Sequence, residues 1–400
     1  MSKFRVYCWG LAEHGALGLK GSKSSSTSFR YIPKPVRHSF AEEKKVVAVA
    51  CGFGFTAFGV QALDRYKVFG NGINTDSQIG LHEPRKNHPL SLVLAPAPIN
   101  LGLEYSDTSI VSMSAGRAHL AVVTDKEGVF TLGSNCYGQC GREIIENEKY
   151  NGSHYVHNIT KLGNEKVTSV SCGQDHTLFL TASGKVFSCG WSADGQTGTD
   201  QLDNICEPTR IDGDIKGETI IKVTGKSDCN LALSSNGEVF GWGNNEYFQL
   251  DTESKEQQVN CPRRLMSLQG LGKIVDIASG GPVCMALNEC GDVFVWGYGI
   301  LGVGPRIEMS GKPLQIPPTL FGRNEFQPET RVISVSCGLT HFMAINNHHN
   351  LYSWGRNRAG CLGIGHTRDQ YFPYKVALSA HALSVSCGMD HTMVICRPFS

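Results

Sequence analysis

The stretch from Val167 to Gly198 reads VTSVSCGQDHTLFLTASGKVFSCGWSADGQTG, and its residue types predict three short strands joined by tight turns. Residues 167–172, 177–181 and 185–189 are rich in β-branched, aromatic and other apolar side chains, as strands are. Ser183-Gly184 stands between the last two runs and is typical of a β-hairpin turn. The stretch therefore predicts one unit of antiparallel sheet with a glycine-rich exit.

Two glycine signatures of this unit each recur seven times along the chain. In the first, an apolar residue and a glycine close a strand, at Trp9-Gly10, Phe69-Gly70, Leu132-Gly133, Cys189-Gly190, Trp242-Gly243, Trp296-Gly297 and Trp354-Gly355. In the second, a small residue and a glycine end an apolar run, at Cys51-Gly52, Ala115-Gly116, Cys172-Gly173, Thr224-Gly225, Ser279-Gly280, Cys337-Gly338 and Cys387-Gly388. Units of fifty-odd residues with about four short strands predict an all-β fold, a seven-bladed β-propeller.

The two ends of the chain each supply only part of a unit. A single strand-like run, VYCWG, opens the sequence, and ALSVSCGMDHTMVIC closes it. Together they predict a seventh blade shared by the N- and C-terminal segments, which closes the ring and removes exposed sheet edges. We expect a single propeller domain over residues 1–400, with a long surface loop at residues 20–45 inserted in the first blade.

Composition excludes several classes of protein. The chain has 37 Lys and Arg against 36 Asp and Glu, so its net charge of +1 argues against a protein that coats DNA. No apolar run approaches the length of a membrane span. The 15 cysteines include no CxxC pair, which favours buried free thiols over a zinc site or a secreted disulfide scaffold. The 46 glycines agree with many tight turns.

The turn, hairpin and strand-end motifs resemble the repeat of the regulator of chromosome condensation family. SxxCGQDHTLFL followed by GxVFSCGWSADGQTG, and SVSCGLTHF followed by LYSWGRNRAGCLGIG, carry the resemblance, which covers residues 5 to 397. It implies a seven-bladed propeller, and the founding member is an exchange factor that releases guanine nucleotide from a small GTPase. The segments EGVFTLGSNCYGQCGREIIENEKY (127–150) and GCLGIGHTRDQYFPYKV (360–376) are similar to a mitochondrial, G-exchanging-factor-like branch.

That branch implies a location in the mitochondrial matrix or on the matrix side of the inner membrane. The chain as given has no presequence before its first strand-like run, so the expectation requires a transit peptide that is not part of this sequence. Two functions follow from the resemblance. One is a non-catalytic scaffold in mitochondrial ribosome and ribosomal RNA maturation, with pseudouridine synthases and ribosome assembly factors as partners. The alternative is an exchange factor for the dynamin-like fusion GTPase of the inner membrane.

The sequence carries no recognisable set of catalytic residues, so we expect binding rather than bond-making, with no cofactor and no metal. The histidines of the GxxH turn recur from blade to blade at His119, His176, His341 and His391, whereas a general base would occur once. We expect them to be buried and hydrogen-bonded to turn backbone. We also expect a monomer that does not bind chromatin, because no basic tail precedes the first strand.

Two groups of residues are candidates for partner contact. In the founding member the GxxH turn faces the GTPase and carries acidic residues, which implies a binding role for Asp175 and Asp390, with Asp228 in an irregular turn and Arg117 reversing the charge. The alternative is that each Asp caps its own tight turn. The first loop contributes Lys20, Lys23, Arg30, Lys34 and Arg37, which could contact RNA phosphate or an anionic inner-membrane surface, or belong to a solvated linker.

Overall fold

Twenty-eight strands form seven four-stranded antiparallel sheets in the described part of the chain, residues 4–19, 30–82, 91–160, 162–250 and 256–399 of this computed structural model. In chain order they are β1 Arg5–Leu11, β2 Tyr31–Arg37, β3 Lys45–Cys51, β4 Phe55–Gln61, β5 Val68–Ile73, β6 Leu92–Ile99, β7 Ile110–Ala115, β8 His119–Thr124, β9 Val129–Gly133, β10 His157–Ile159, β11 Val167–Cys172, β12 His176–Thr181, β13 Val186–Gly190, β14 Ile205–Arg210, β15 Ile220–Thr224, β16 Cys229–Ser234, β17 Val239–Asn244, β18 Gln258–Arg264, β19 Ile274–Gly280, β20 Val283–Asn288, β21 Val293–Tyr298, β22 Met309–Ile316, β23 Val332–Cys337, β24 His341–Asn346, β25 Leu351–Gly355, β26 Gln370–Lys375, β27 Ala380–Cys387 and β28 His391–Pro398.

Six of the sheets are consecutive four-strand meanders, blades 1 to 6, beginning at β3, β7, β11, β15, β19 and β23. The first strand of each blade contacts the first strand of the next, and β27 contacts both β23 and β3, so these seven strands form a closed inner ring. One α-helix, α1 Phe40–Glu43, and four short 3-10 turns at Gly213–Ile215, Met266–Leu268, Pro318–Phe321 and Arg358–Gly360 complete the described regular structure. The all-β, seven-bladed propeller predicted from the sequence is confirmed.

The seventh blade, which we call the closing blade, joins the two ends of the chain as predicted. Its strands lie in the order β2, β1, β28, β27, so two come from each end. The β1–β28 register pairs Arg5 with Cys396 and Gly10 with His391. Strands from both ends of the chain thus pair in one sheet, so the ring is closed and no inner strand is left unpaired at a gap between the ends.

The loop expected over residues 20–45 is wrong in its second half. Tyr31–Arg37 is β2, the outermost strand of the closing blade, and α1 and the start of β3 follow it before residue 46. YIPKPVR contains two prolines, which lack the N–H needed in the middle of a sheet but are tolerated on an edge strand. Residues 20–29, with Lys20 and Lys23, lie outside the described residues.

The apolar core lies between neighbouring blades. One buried cluster joins Leu178 of blade 3, Trp242 of blade 4 and Cys284 of blade 5. The strand-ending tryptophans also bind the preceding blade, because the indole N–H groups of Trp9 and Trp242 donate to the carbonyls of Cys361 (2.7 Å) and Gln196 (3.0 Å). Truncation of such a buried ring costs about 3–5 kcal/mol, so these contacts hold blade to blade.

Candidate functional site

Seven turns gather at one end of the inner ring and form a surface that we call the turn face. Each turn connects the innermost strand of a blade to its second strand, at residues 52–54, 116–118, 173–175, 225–228, 281–282, 338–340 and 388–390. The loops that follow the third strands end on the same face, because antiparallel pairing returns the third strand to that end. All four candidate turn residues, Arg117, Asp175, Asp228 and Asp390, therefore lie on one surface.

The first position of each turn requires glycine, because neighbouring atoms lie too close to its Cα to leave room for a side chain. A Cβ on Gly116 would lie 2.6 Å from the Nδ1 atom of His119 and 2.6 Å from the carbonyl oxygen of Gly173 in the next blade. Both distances are far below van der Waals contact, so neither the ring nor the neighbouring turn leaves room for a side chain. The second glycine signature is therefore architectural.

The turn histidines are buried, as expected, but they bind the next blade rather than their own turn. The Nε2 atoms of His119, His341 and His391 lie 3.0, 3.1 and 2.9 Å from the hydroxyl oxygens of Thr177, Thr392 and Thr56. His176 makes the corresponding contact with the Asn230 side-chain oxygen at 2.8 Å. Burial lowers the pKa of His119, His341 and His391 to about 3, so these rings are neutral links between blades.

Lys226 crosses the inner ring beneath the turn face. It leaves the turn of blade 4, and its Nζ donates to the carbonyls of Cys51 (2.6 Å) in blade 1 and Ala115 (3.1 Å) in blade 2. The side chain is half-buried, and this burial lowers its pKa. The thiols of Cys51 and Cys172 face it and oppose the shift.

Arg117 and Asp175 form an ion pair across two blades. The Arg117 Nε and Nη2 atoms lie 3.1 and 2.7 Å from the two carboxylate oxygens of Asp175, a bidentate arrangement. Burial raises the pKa of Asp175, and Arg117 opposes the change. Opposite charges in neighbouring turns thus neutralise each other.

The other two candidate aspartates are also engaged. Asp228 accepts hydrogen bonds from the Nε2 atoms of Gln174 (3.2 Å) and Gln196 (3.1 Å). Asp390 is buried and lies 3.7 Å from the Nε of Arg358, while burial raises its pKa. Asp228 also accepts from the hydroxyl of Ser227 in its own turn (3.3 Å), but Gln174, Gln196 and Arg358 lie in other turns and loops, so capping of their own turns accounts for only part of these contacts.

Two acidic residues that the sequence did not single out extend this surface. Asp194 follows the third strand of blade 3, and burial together with the charges of Asp228 and Glu246 raises its pKa. Glu246 follows the third strand of blade 4 and is exposed. Both lie in the loop after a strand-ending glycine, and that repeated loop was the available signal. We call Asp194, Asp228 and Glu246 the acidic cluster.

Among the described residues, no group of three His, Cys, Asp or Glu side chains could hold a metal ion. The same part of the chain has no helix long and apolar enough to cross a membrane.

The repeat itself identifies the family. The model of the regulator of chromosome condensation (RCC1) repeat matches residues 5–58, 126–180, 236–287, 290–345 and 348–395. A human relative, the RCC1-like G exchanging factor-like protein, is 45% identical over 99% of this chain and 87% of its own length. The chain belongs to the RCC1 repeat family. The mouse protein of the same name is likewise 45% identical over 99% of this chain and 88% of its own length.

Solved structures of RCC1-family propellers are similar over nearly the whole chain. The crystal structure of human WBSCR16 has a TM-score of 0.93 and 44% identity, and covers 98% of this chain and all of that one. Yeast RCC1 (Prp20), solved in complex with Kap60, has a TM-score of 0.81 at 19% identity and covers all of this chain and 90% of its own. The second likeness shows the shared seven-bladed fold alone.

Three of the five basic candidates, Arg30, Lys34 and Arg37, are among the described residues of this RCC1-family chain and lie on or beside the closing blade. The Nε atoms of Arg30 and Arg37 pair with Glu13 (3.2 Å) and Glu42 (2.9 Å), and Lys34 is exposed on β2. The two arginines are thus engaged in surface ion pairs, which contribute at most about 1 kcal/mol and are readily exchanged for another anion. Contact with RNA or lipid at these residues stays a prediction.

Proposed function

We propose that this protein is a non-catalytic binding propeller whose turn face receives a partner protein. The acidic cluster supports the proposal: it presents negative charge to solvent from neighbouring loops and turns, and Glu246 has no ion-pair partner among the described residues. Such a surface steers and orients a partner of complementary charge without breaking a bond.

The finer form of the proposal places the protein in the mitochondrial matrix or on the matrix side of the inner membrane. There it would act as a scaffold in mitochondrial ribosome and ribosomal RNA maturation, with pseudouridine synthases and assembly factors as partners. The resemblance to the mitochondrial branch supports this role, and the exposed Lys34 with the displaceable pairs of Arg30 and Arg37 offers cations to RNA phosphate.

A second candidate is a guanine-nucleotide exchange factor for the inner-membrane dynamin-like fusion GTPase. The name of the human relative, a G exchanging factor-like protein, favours it. The acidic cluster is chemically suited to the task, because switch loops of a GTPase are ordered by Mg²⁺ and phosphate contacts that carboxylates can compete with.

One variant pair tests the use of the turn face in either role. Glu246→Lys reverses an exposed charge in the acidic cluster, and Arg331→Glu reverses an exposed charge near the start of β23, at the opposite end of the strands. Tagged protein recovered from intact mitochondria should retain its protein partners with Arg331→Glu and lose them at least about tenfold with Glu246→Lys. Equal recovery by both variants would contradict a binding role for this face.

The rate at which the purified fusion GTPase releases fluorescent GDP distinguishes the exchange function from the scaffold function. We expect accelerated release with the wild-type chain and with Arg331→Glu, and slower release with Glu246→Lys. Unchanged release at excess protein removes the exchange function and leaves the scaffold. Lack of ribosomal RNA enrichment over an unrelated propeller removes the scaffold in RNA maturation.

A further inference from the structure

Three consecutive clefts run across the turn face between blades 4, 5, 6 and the closing blade. The first, of about 160 Å³, is lined by Asp228, Glu246 and Tyr247 and ends at Pro282. The second, of about 70 Å³, begins at the same Pro282 and ends at Leu339, Thr340 and Arg356. The third, of about 300 Å³, shares those last three residues and reaches Arg358 and Asp390. Shared walls make them one arc, which we call the groove.

The groove changes chemistry along its length. Its first cleft is acidic, with Asp228 and the exposed Glu246 in its wall and Asp194 close enough for both to raise its pKa. Its middle cleft is apolar, with Val283, Ile300, Leu339 and Phe342 around it. The stacked rings of Tyr247 and Tyr298, 4.9 Å apart, bridge the two clefts.

The junction of the second and third clefts offers a free guanidinium. Arg356 is exposed, lies in the wall between the second and third clefts, and has no side-chain partner among the described residues. Two carboxylates share the third cleft, but both are engaged: Asp369 accepts from the Asn357 backbone N–H at 2.8 Å, and Asp390 faces Arg358 at 3.7 Å. Arg356 is therefore the group available to an incoming anion.

We propose that the groove binds an extended segment of a partner protein that presents a basic, then an aliphatic, then an acidic side chain. This inference rests on the proposed use of the turn face and specifies what is recognised there. The basic side chain meets Glu246 and Asp228, and the acidic side chain meets Arg356. The middle cleft has less than half the volume of a 150 Å³ cavity that takes benzene, so it selects an aliphatic side chain over an aromatic ring.

A polypeptide fits this polarity better than a nucleic acid does. The acidic cluster repels phosphate at one end of the groove, whereas RNA would require cations along the whole path. An apolar anchor flanked by charged side chains of opposite sign is the ordinary anatomy of a peptide site, with the anchor supplying affinity and the charges supplying direction.

The test is selection of random twelve-residue peptides, displayed on phage, against the full-length protein. We expect enriched peptides to carry one basic and one acidic residue on opposite sides of an aliphatic residue, with the chain direction read from their order. Arg356→Glu should weaken a selected peptide at least about tenfold by fluorescence polarisation, and Arg331→Glu in the same blade should not.

Compensation separates recognition from misfolding. Changing the acidic residue of the selected peptide to Lys should restore its binding to Arg356→Glu and weaken its binding to the wild type. The groove proposal is contradicted if the enriched peptides lack the charge pattern. It is also contradicted if the Lys-substituted peptide does not bind Arg356→Glu better than it binds the wild type. If the peptide results are negative but Glu246→Lys still loses its protein partners, the groove proposal fails and the proposed function stands. If the groove binds peptides as expected but Glu246→Lys recovers its partners normally, the groove proposal stands and the proposed function fails.

Discussion

A buried histidine that hydrogen-bonds the next blade connects neighbouring sheets of the ring. His341 illustrates the cost of this arrangement: its Nε2 contacts Thr392, while its Nδ1 is buried and unpartnered. Protonation would place a charge in a buried site, so burial holds the pKa at about 3. An imidazole in the unfolded chain has a pKa of about 6.5. As the pH falls, it is therefore protonated at a much higher pH than the folded one is.

The protein should therefore lose stability as the pH falls below about 6.5, and the loss should continue toward pH 3. Between these values the unfolded state holds protons that His119, His341 and His391 cannot accept in the folded state. Near pH 5 three such rings give a slope of about 4 kcal/mol per pH unit in the free energy of unfolding, measured by urea unfolding.

His341→Val supplies the matched variant, because Val283 occupies the same position in blade 5. It should lower the slope by about 1.4 kcal/mol per pH unit, in addition to lowering stability at pH 7 through the lost inter-blade bond. His154→Val, at an exposed position, should leave the slope unchanged. Equal slopes for the wild type and His341→Val would contradict neutral histidines in the ring.

At the same scale, Lys226 shows what residue patterns could not predict. Its contact with Cys51 joins positions 175 residues apart, and it exists only because ring closure brings blade 4 opposite blade 1. The shared face of Asp175, Asp228 and Asp390 was predictable from the repeat. The pairing of Asp175 with Arg117 was not, because repeat spacing places a turn but does not say which way its side chain points.

At the scale of single strands, glycine spacing predicted the inner three strands of each blade well. The hairpin turn of blade 6, His348-His349-Asn350, adopts the left-handed conformation without glycine, since His349 has φ 60°. The outermost strand of each blade is the hardest to predict, because its apolar and polar residues do not alternate regularly and it contains proline. The sequence therefore predicts a loop where β2 lies, although proline is a signal for an edge strand.

Prolines mark the outer edge of the propeller. The outermost strands of six of the seven blades, as far as the structure describes them, each contain at least one, at Pro33, Pro35, Pro96, Pro98, Pro208, Pro262, Pro313 and Pro373. The outer edge of each blade is where another chain could add a strand, and proline removes a donor that such pairing needs. These residues protect six of the seven sheets from edge-to-edge association.

Pro98→Val in β6 tests this protection at an exposed edge position. The unfolding free energy should change by no more than about 0.5 kcal/mol, as at other surface sites, whereas light scattering at high concentration should increase with time. Pro98→Lys restores the same N–H but adds a charge that opposes association, so it should stay monodisperse. A Pro98→Val protein that remains monodisperse would show that proline is not the barrier.

At the scale of the whole molecule, closure is carried by the closing blade. β1 lies between β28 and β2, and each ring neighbour of β27 is the innermost strand of another blade. The closing blade also supplies His391 to Thr56 of blade 1 and receives His341 from blade 6. Contacts of this kind pass around the full circle, so we expect the ring to unfold as one cooperative unit.

Removal of β27 and β28 by truncation after residue 376 should therefore disrupt more than one blade. It leaves β1 without its central partner, exposes the inner strands β3 and β23, and removes Thr392 from His341 and His391 from Thr56. We expect a product that elutes as aggregate and lacks a cooperative melt by circular dichroism, because unpaired strand edges associate. Truncation after Pro398 keeps every strand and should behave as the full chain does. A monomeric 1–376 fragment with a sharp melt would show that the remaining six blades close without the seventh.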